Sequence, residues 1–520
     1  LLPLIGRHVE EGADVGVNTV IWRISRPSDS VALTLGPGPA SLTRSSSNID
    51  LRFSTDSKIA NSPLEVGLVL ALDGRGDTLT IQGGPISLAQ LGLEEGAAGL
   101  VDVAHATMTG RARVGLADDG STITFDARAV ALGLSLYNPK LAPEVIRGMD
   151  VSLRARGAAA ASGEVRLDDL AAEFGAVRVS AGGILNQEAK RVVGTFHFDL
   201  PSASCESLLD SIPGALVPAL GGATMSGTFG AHGRFGFDTR ALDDITLDYD
   251  IEDHCQMIGV PPPLARERFL QPFDHPIYLP DGSVQSETTG PGSTNWTPLD
   301  EISPYMQVAV MTTEDGAFRK HHGFNRASIR ASIIANLKAR RFVRGASTIT
   351  MQLAKNLFLS RDKTLARKLE EVILTDYIEQ TFSKDEIMEL YLNVIEFGPG
   401  VYGITAAADY YFGRTPGELN LAESLLLSSL LPSPLRYGAM RDDGEVPQGW
   451  MRTLHALMQI AHRNKRITDA ELAEGEEEHV VFWHGGERPT PRPPIQARPY
   501  LDSDTDDVTT TPTGDLPRTP

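Results

Sequence analysis

The period of hydrophobic alternation changes once along this 520-residue chain, and that change limits the fold more than any other feature. Up to about residue 260, apolar and polar residues alternate in short stretches, at 122–127, 151–155, 177–180, 192–200, 224–237 and 245–251, with glycines between them. A period of two turns one side of each strand toward a core and the other toward water, which predicts a β-rich domain, either a sandwich or an open curved sheet. From about residue 297 the period becomes helical. Leu365, Leu369, Val372, Ile373 and Tyr377 form one stripe, and Ile387, Leu390, Tyr391 and Val394 another. Ser383 with Glu386, and Asn420 with Glu423, have capping-box spacing. Between the two regimes lie Pro261-Pro262-Pro263, Pro280-Asp281-Gly282 and Gly290-Pro291-Gly292-Ser293, the dipeptides of turns and linkers. The expected layout is a multidomain α+β chain: a β-rich accessory domain over 1–260, a linker over 261–296, an all-helical domain over 297–484 and a disordered tail over 485–520. The tail is expected because its Pro, Thr and Asp leave little apolar surface to offset the entropy of ordering.

Charge and cysteine usage exclude several classes. The formal net charge of -20 argues against a nucleic-acid binder, which must neutralise phosphates. Cys205 and Cys255 are too few for a disulfide scaffold, and neither sits in a metal-ligand spacing. They are expected to pair in an oxidising compartment, with two buried free thiols as the alternative. No run of 18 or more apolar residues occurs. The chain also begins at Leu1, so an N-terminal membrane anchor outside this sequence is expected.

Against the acidic total, residues 312–372 carry 13 Lys and Arg and 5 Asp and Glu, a local excess of +8. A basic helical stretch in an acidic protein points to an anionic ligand, and the isolated carboxylates within it become candidates for acid or base work. The order of residues is more specific. Glu314-Asp315-Gly316-Ala317-Phe318 leads to His321 and Gly323, and Arg344-Gly345-Ala346-Ser347-Thr348-Ile349-Thr350 to Gln352, Lys355 and Asn356. Arg367-Lys368-Leu369-Glu370-Glu371 follows, then Lys384 and Ile387 before Tyr391-Leu392-Asn393, and then Glu396-Phe397-Gly398. These five ordered motifs, over roughly 298–437, resemble the signatures of the peptidoglycan glycosyltransferases, the polymerase domains of class A penicillin-binding proteins. The Arg344-Gly345-Ala346-Ser347 form and the Leu431-Pro432-Ser433-Pro434 ending look closest to the monofunctional members, which lack a transpeptidase.

The resemblance implies a lysozyme-like helical fold and polymerisation of lipid II into glycan strands, with undecaprenyl pyrophosphate as leaving group. It makes Glu314 the base that deprotonates the acceptor's 4-hydroxyl, and Glu371 a second catalytic carboxylate. Lys355, Lys363 and Arg367 become the cations that stabilise the pyrophosphate, while Ser347, Thr348, Gln352, Asp315, His321 and Asn393 bind substrate. The bland readings stand beside these. Glu371 lies four residues after Arg367 and could simply pair with it, Ser347 and Thr348 could cap the next helix, and His321 could be a hydrogen-bonding strut. Ala331 stands where several members carry arginine, with Arg330 displaced by one position. The resemblance requires no cofactor and allows a divalent cation such as Mg2+ near Glu371. Its implied partners are lipid II, the growing glycan strand, the inner membrane surface on its periplasmic side and other cell-wall synthesis proteins. The rival readings are a glycan hydrolase, which would likewise use two carboxylates, and a silent scaffold whose β-rich half binds lipid or an envelope partner. In its glycine-rich strands and Leu/Val-rich faces, that half loosely resembles the AsmA-type envelope proteins with their lipid-handling grooves.

Overall fold

The computed structural model describes residues 9–25, 32–55, 63–72, 76–117, 120–442, 444 and 446–495. The chain forms two compact units, Leu1–Gly259 with Asp362–Arg367, and Val260–Arg361 with Lys368–Pro520.

The first unit is built on one antiparallel sheet of thirteen strands. In chain order they are β1 (Asp14–Ser25), β2 (Ala32–Arg44), β3 (Asn48–Ser54), β4 (Glu65–Ala71), β5 (Thr78–Ser87), β6 (Thr107–Leu116), β7 (Thr122–Leu136), β8 (Ile146–Ala160), β9 (Glu164–Phe174), β10 (Val177–Glu188) and β11 (Arg191–Ser204). Helix α1 (Cys205–Ser211) and the short β12 (Thr224–Ser226) intervene before β13 (Thr228–Asp238) and β14 (Thr246–Asp253) complete the sheet; β12 pairs separately with β15 (Gln256–Gly259).

The register explains the alternation. Leu51 faces Leu68, Leu68 faces Leu79, Leu79 faces Val114 and Val114 faces Phe125, so one side of the sheet is apolar from strand to strand. The same side continues through Ala155, Leu170, Ala181, Phe198, Gly233 and Tyr249. The opposite side carries Arg52, Thr80, Arg113, Asp126, Arg156 and Asp169. Phe125 faces Gly157, where a Cβ would come within 2.7 Å of its Cζ, so the glycine makes room for the ring. A sandwich is therefore overturned in favour of a single open sheet. Period-two alternation specifies an apolar face but not a second sheet to cover it, and Ile123 and Leu153 on that face each remain 49% exposed. A local core forms instead where the chain folds over after β5, from Ile86, Leu88, Leu91, Val103 and Ala106. Cys205, at the start of α1, is disulfide-bonded to Cys255, with 5.7 Å between their Cα atoms.

The second unit opens with a hairpin, β16 (Phe273–Tyr278) and β17 (Val284–Thr289). The expected linker over 261–296 is thus corrected: Leu264, Phe269, Phe273 and Trp296 are buried, and Phe269 stacks edge-on with Phe273, Phe358 and Phe382. The prolines set turns, and the aromatic residues between them supply a core. The helices are α2 (Pro304–Thr313), α3 (Arg326–Ala339), α4 (Ile349–Phe358), α5 (Leu365–Thr381), α6 (Lys384–Val394), α7 (Ile404–Phe412), α8 (Leu421–Leu430), α9 (Pro434–Tyr437), α10 (Gln448–Arg463) and α11 (Asp469–Glu477), with a small hairpin of β18 (Glu396–Gly398) and β19 (Val401–Tyr402) before α7. The unit is therefore helical with two hairpins rather than all-helical, because Pro399-Gly400 lets the chain reverse where a helix would have to continue.

Helix α8 is buried along its whole length and packs on α2, while α4 packs on α6. The capping boxes at Ser383/Glu386 and Asn420/Glu423 form as spaced. The expected tail is corrected in its first part, since Arg492 pairs with Glu423 at 2.6 Å and the Ile495 N–H bonds Gly417 O at 3.1 Å. The rest of that expected tail, 496–520, lies outside the described residues.

Candidate active site

Glu314 is the residue at which α2 ends. Its N–H still donates to Val310 O at 2.8 Å, but the chain then turns away, so the carboxylate lies at the negative end of the helix. Three bonds fasten this turn to the start of α4. Asp315, 4% exposed, accepts the Ile349 N–H at 3.2 Å; Thr348 donates its hydroxyl to Gly323 O at 2.6 Å; and the Gln352 Nε2 donates to Glu314 Oε2 at 2.9 Å. Gly323 has φ 83°, and a Cβ there would lie 2.7 Å from Thr375 Cγ2, so glycine is required by both backbone and space. The first two motifs therefore form one structural joint, in which a carboxylate and a free helix N-terminus satisfy each other.

His321 bonds Asp315 through Nε2 at 2.9–3.0 Å, which makes it a strut for the residue that holds α4. Thr348 caps α4, accepting from the Met351 N–H at 3.3 Å. A second hub lies beside the first: Glu379 on α5 bonds Thr350 and Lys384, the latter at 2.8 Å, and the Lys384 ammonium sits 4.4 Å from the Phe318 ring centre. Phe318, Thr350 and Lys384, one from each of three motifs, thereby meet through a residue that sequence reasoning did not single out.

Burial pushes the Glu314 carboxyl above its ordinary range, against the opposing pull of Gln352, Thr313 and the Lys355 charge; neighbouring Asp315 adds to the rise. A carboxylate so placed holds a proton more readily than one in water. That is what a base accepting a proton from a hydroxyl needs. Gln352 is itself held from behind, its Oε1 accepting the Tyr391 hydroxyl at 3.1 Å.

Glu371, 4% exposed, is bound by Lys368 with Nζ–Oε1 2.5 Å, and the same ammonium reaches Ser347 Oγ at 3.5 Å. Among the described residues no group of three or more His, Cys, Asp or Glu side chains is placed so that it could hold a metal ion. Asn393 has a different environment. Its Oδ1 accepts the Thr297 N–H at 2.9 Å, and its Nδ2 donates to Thr297 O at 2.8 Å and Glu389 O at 2.9 Å, so the amide clasps the entry to the helical unit onto α6. Lys363, exposed, and Arg367, half-buried, belong to Asp362–Arg367, which groups with the β-rich unit. Glu314, Asp315, His321, Thr348, Gln352 and Lys355 thus come together at one joint, and Ser347 and Glu371 share Lys368. The residues missed were Tyr391, Lys368 and Glu379; the first two lay inside recognised motifs, and Glu379 carried no signal.

A buried carboxyl with a raised pKa, held by an amide and under the influence of an ammonium charge, is suited to acid–base chemistry. Comparison with known proteins narrows the class. Residues 281–458 match the family model described as Transglycosylase. The proteins named biosynthetic peptidoglycan transglycosylase of Yersinia pestis (strain Pestoides F) and Yersinia pseudotuberculosis serotype IB (strain PB1/+) are 41% identical to the chain over 167 residues, which is 32% of this chain and 69% of each relative. The chain belongs to this family of peptidoglycan transglycosylases, and it is an enzyme of glycosyl transfer. Penicillin-Binding Protein 1A from Haemophilus influenzae is a structural neighbour at 20% identity and a TM-score of 0.20, covering 42% of this chain and 22% of that one, a likeness too slight to bear on the fold.

Proposed function

We propose that the chain polymerises lipid II, with Glu314 as the base. Glu314 takes the proton of the acceptor's 4-hydroxyl as that oxygen bonds the donor's anomeric carbon; the bond from that carbon to the pyrophosphate breaks, and undecaprenyl pyrophosphate departs with the electron pair. Lys355, whose charge acts on Glu314, is assigned to the leaving pyrophosphate, with Lys363 and Arg367 as further cations. Lys368 holds Glu371, whose assigned role is to orient the donor rather than to bind metal, and no step is routed through a divalent ion. A lysozyme-like path for the helical unit, and work at the periplasmic surface of the inner membrane, belong to the same reading. No helix among the described residues is long and apolar enough to cross a membrane. The disulfide agrees with an oxidising compartment.

The observation that carries the proposal is the Glu314 carboxyl, raised by burial and held by Gln352 within reach of the Lys355 charge. Incubating the purified chain with lipid II and separating the products tests it. Polymer is expected; hydrolysis fragments would favour a glycan hydrolase, and unreacted lipid II would favour the scaffold reading.

A further inference from the structure

Tyr391 lies on α6 and is fully buried. Its hydroxyl makes one hydrogen bond, to Gln352 Oε1 at 3.1 Å, and the other end of the same amide donates to Glu314 at 2.9 Å. An amide is nearly symmetric in shape, so space alone does not decide which end of Gln352 meets Glu314. An ionised Glu314 would itself select the N–H end, and the hydroxyl selects that same end whether Glu314 is ionised or protonated. Were the amide reversed, Nε2 would point at the phenol and Oε1 at the carboxylate; the buried O–H would then have no acceptor, and two oxygens would face each other.

We propose that Tyr391 is a positioning residue for the base: by donating to Gln352 it keeps the amide N–H, and not the amide oxygen, turned toward Glu314. This rests on the reading of Glu314 as base. The geometry gives the relay a direction, from phenol to amide to carboxylate, along which each donor strengthens the next. Burial, which favours the proton on Glu314, is thus opposed by a fixed N–H donor, which favours the ionised form. The other charged and titratable groups facing Glu314 are Asp315, itself bound to His321, from the turn after α2, and Lys355 from α4. Burial, with the charges of Glu314 and Asp315 adding to it, pushes the Tyr391 phenol well above its ordinary range and keeps it a donor.

The sign of the effect follows. Losing the phenol frees the amide to reverse; the reversed amide accepts from protonated Glu314 and repels the ionised form, so the carboxyl rises further. The rate on lipid II rises with pH as the base ionises, so its acid limb should move to higher pH in Tyr391→Phe, by about half a unit to one unit. That is roughly a 3- to 10-fold loss of kcat/KM on the limb, shrinking at the alkaline plateau. Gln352→Met should move the limb at least as far. The double variant should match Gln352→Met alone, because the phenol acts only through the amide. Replacing Tyr391 by 3-fluorotyrosine, a stronger donor of nearly the same volume, should move the limb to lower pH and serves if Tyr391→Phe does not fold.

A limb that stays in place in folded Tyr391→Phe and in the fluorotyrosine protein overturns the proposal, as do shifts that add in the double variant. Failure of the underlying reading looks different: Glu314→Gln would then turn over normally, whatever Tyr391 does.

Discussion

At Glu314 the same burial that suits a base opposes folding. A carboxyl whose pKa is raised in the folded state contributes stability that is complete below the unfolded value, near 4.5, and lost as pH rises through the folded one. Above the unfolded value the carboxyl therefore costs stability. Glu314→Gln keeps the volume and removes the ionisation, so it should abolish polymerisation, by about 10²- to 10⁴-fold or more, while leaving the melting temperature unchanged or higher. Thermal unfolding at pH 5 and pH 8 checks the sign, since any gain should be larger at pH 8. A marked loss of stability would mean that the carboxylate supports the fold. Lys355 separates by kinetics. Assigned to a pyrophosphate whose charge grows as the glycosidic bond breaks, Lys355→Ala should lower kcat at saturating lipid II; a change confined to KM and its salt dependence would make it a recruiting charge.

Among the elements, those with local causes were the legible ones. The capping boxes at Ser383 and Asn420 formed because both partners lie within one turn, and the strands of the first unit appeared wherever apolar residues alternated. The stripe expected on α5 held at Tyr377, which is buried, but not at Leu365, 60% exposed, or Val372, 40% exposed; Glu370 and Glu371 are buried instead, with Leu374 and Ile378. Hydrophobicity alone does not predict a buried carboxylate; the ammonium that compensates Glu371 is Lys368, three residues back on the same helix, where spacing had offered Arg367 four residues back. The joint at Glu314 was visible as motifs but not as bonds, since Asp315 and Ile349 are 34 residues apart. Asn393 shows the converse, a motif residue whose amide is used within the fold. Asn393→Ala should cost about 2 to 4 kcal/mol, because it strands the Thr297 N–H and C=O in a buried place. Chemical denaturation measures it. Full stability with a raised KM would instead return Asn393 to the substrate.

Over the whole molecule, charge and covalent bonding are unevenly distributed. The chain is acidic, at -20, but its motif-bearing stretch is basic, and its disulfide lies wholly within the β-rich unit. Two units with separate cores should melt in two calorimetric transitions, and the disulfide should affect one. Cys205 and Cys255 are 50 residues apart, so releasing the link returns loop entropy to the unfolded chain worth about 4 kcal/mol. In a unit of this size that corresponds to a fall on the order of 10 °C in melting temperature. Reductant, or the pair Cys205→Ser and Cys255→Ser, should therefore lower the β-rich unit's transition. The temperature at which transglycosylase activity is lost should stay in place if Glu314, Gln352 and Lys355, which lie in the other unit, carry the reaction, and should fall if it also needs Lys363 and Arg367, which group with the β-rich unit. Calorimetry separates the two ways in which activity loss could fall together with the reductant-sensitive transition: one merged transition means that the two units unfold as one, whereas two transitions mean that the reaction needs Lys363 and Arg367 of the β-rich unit.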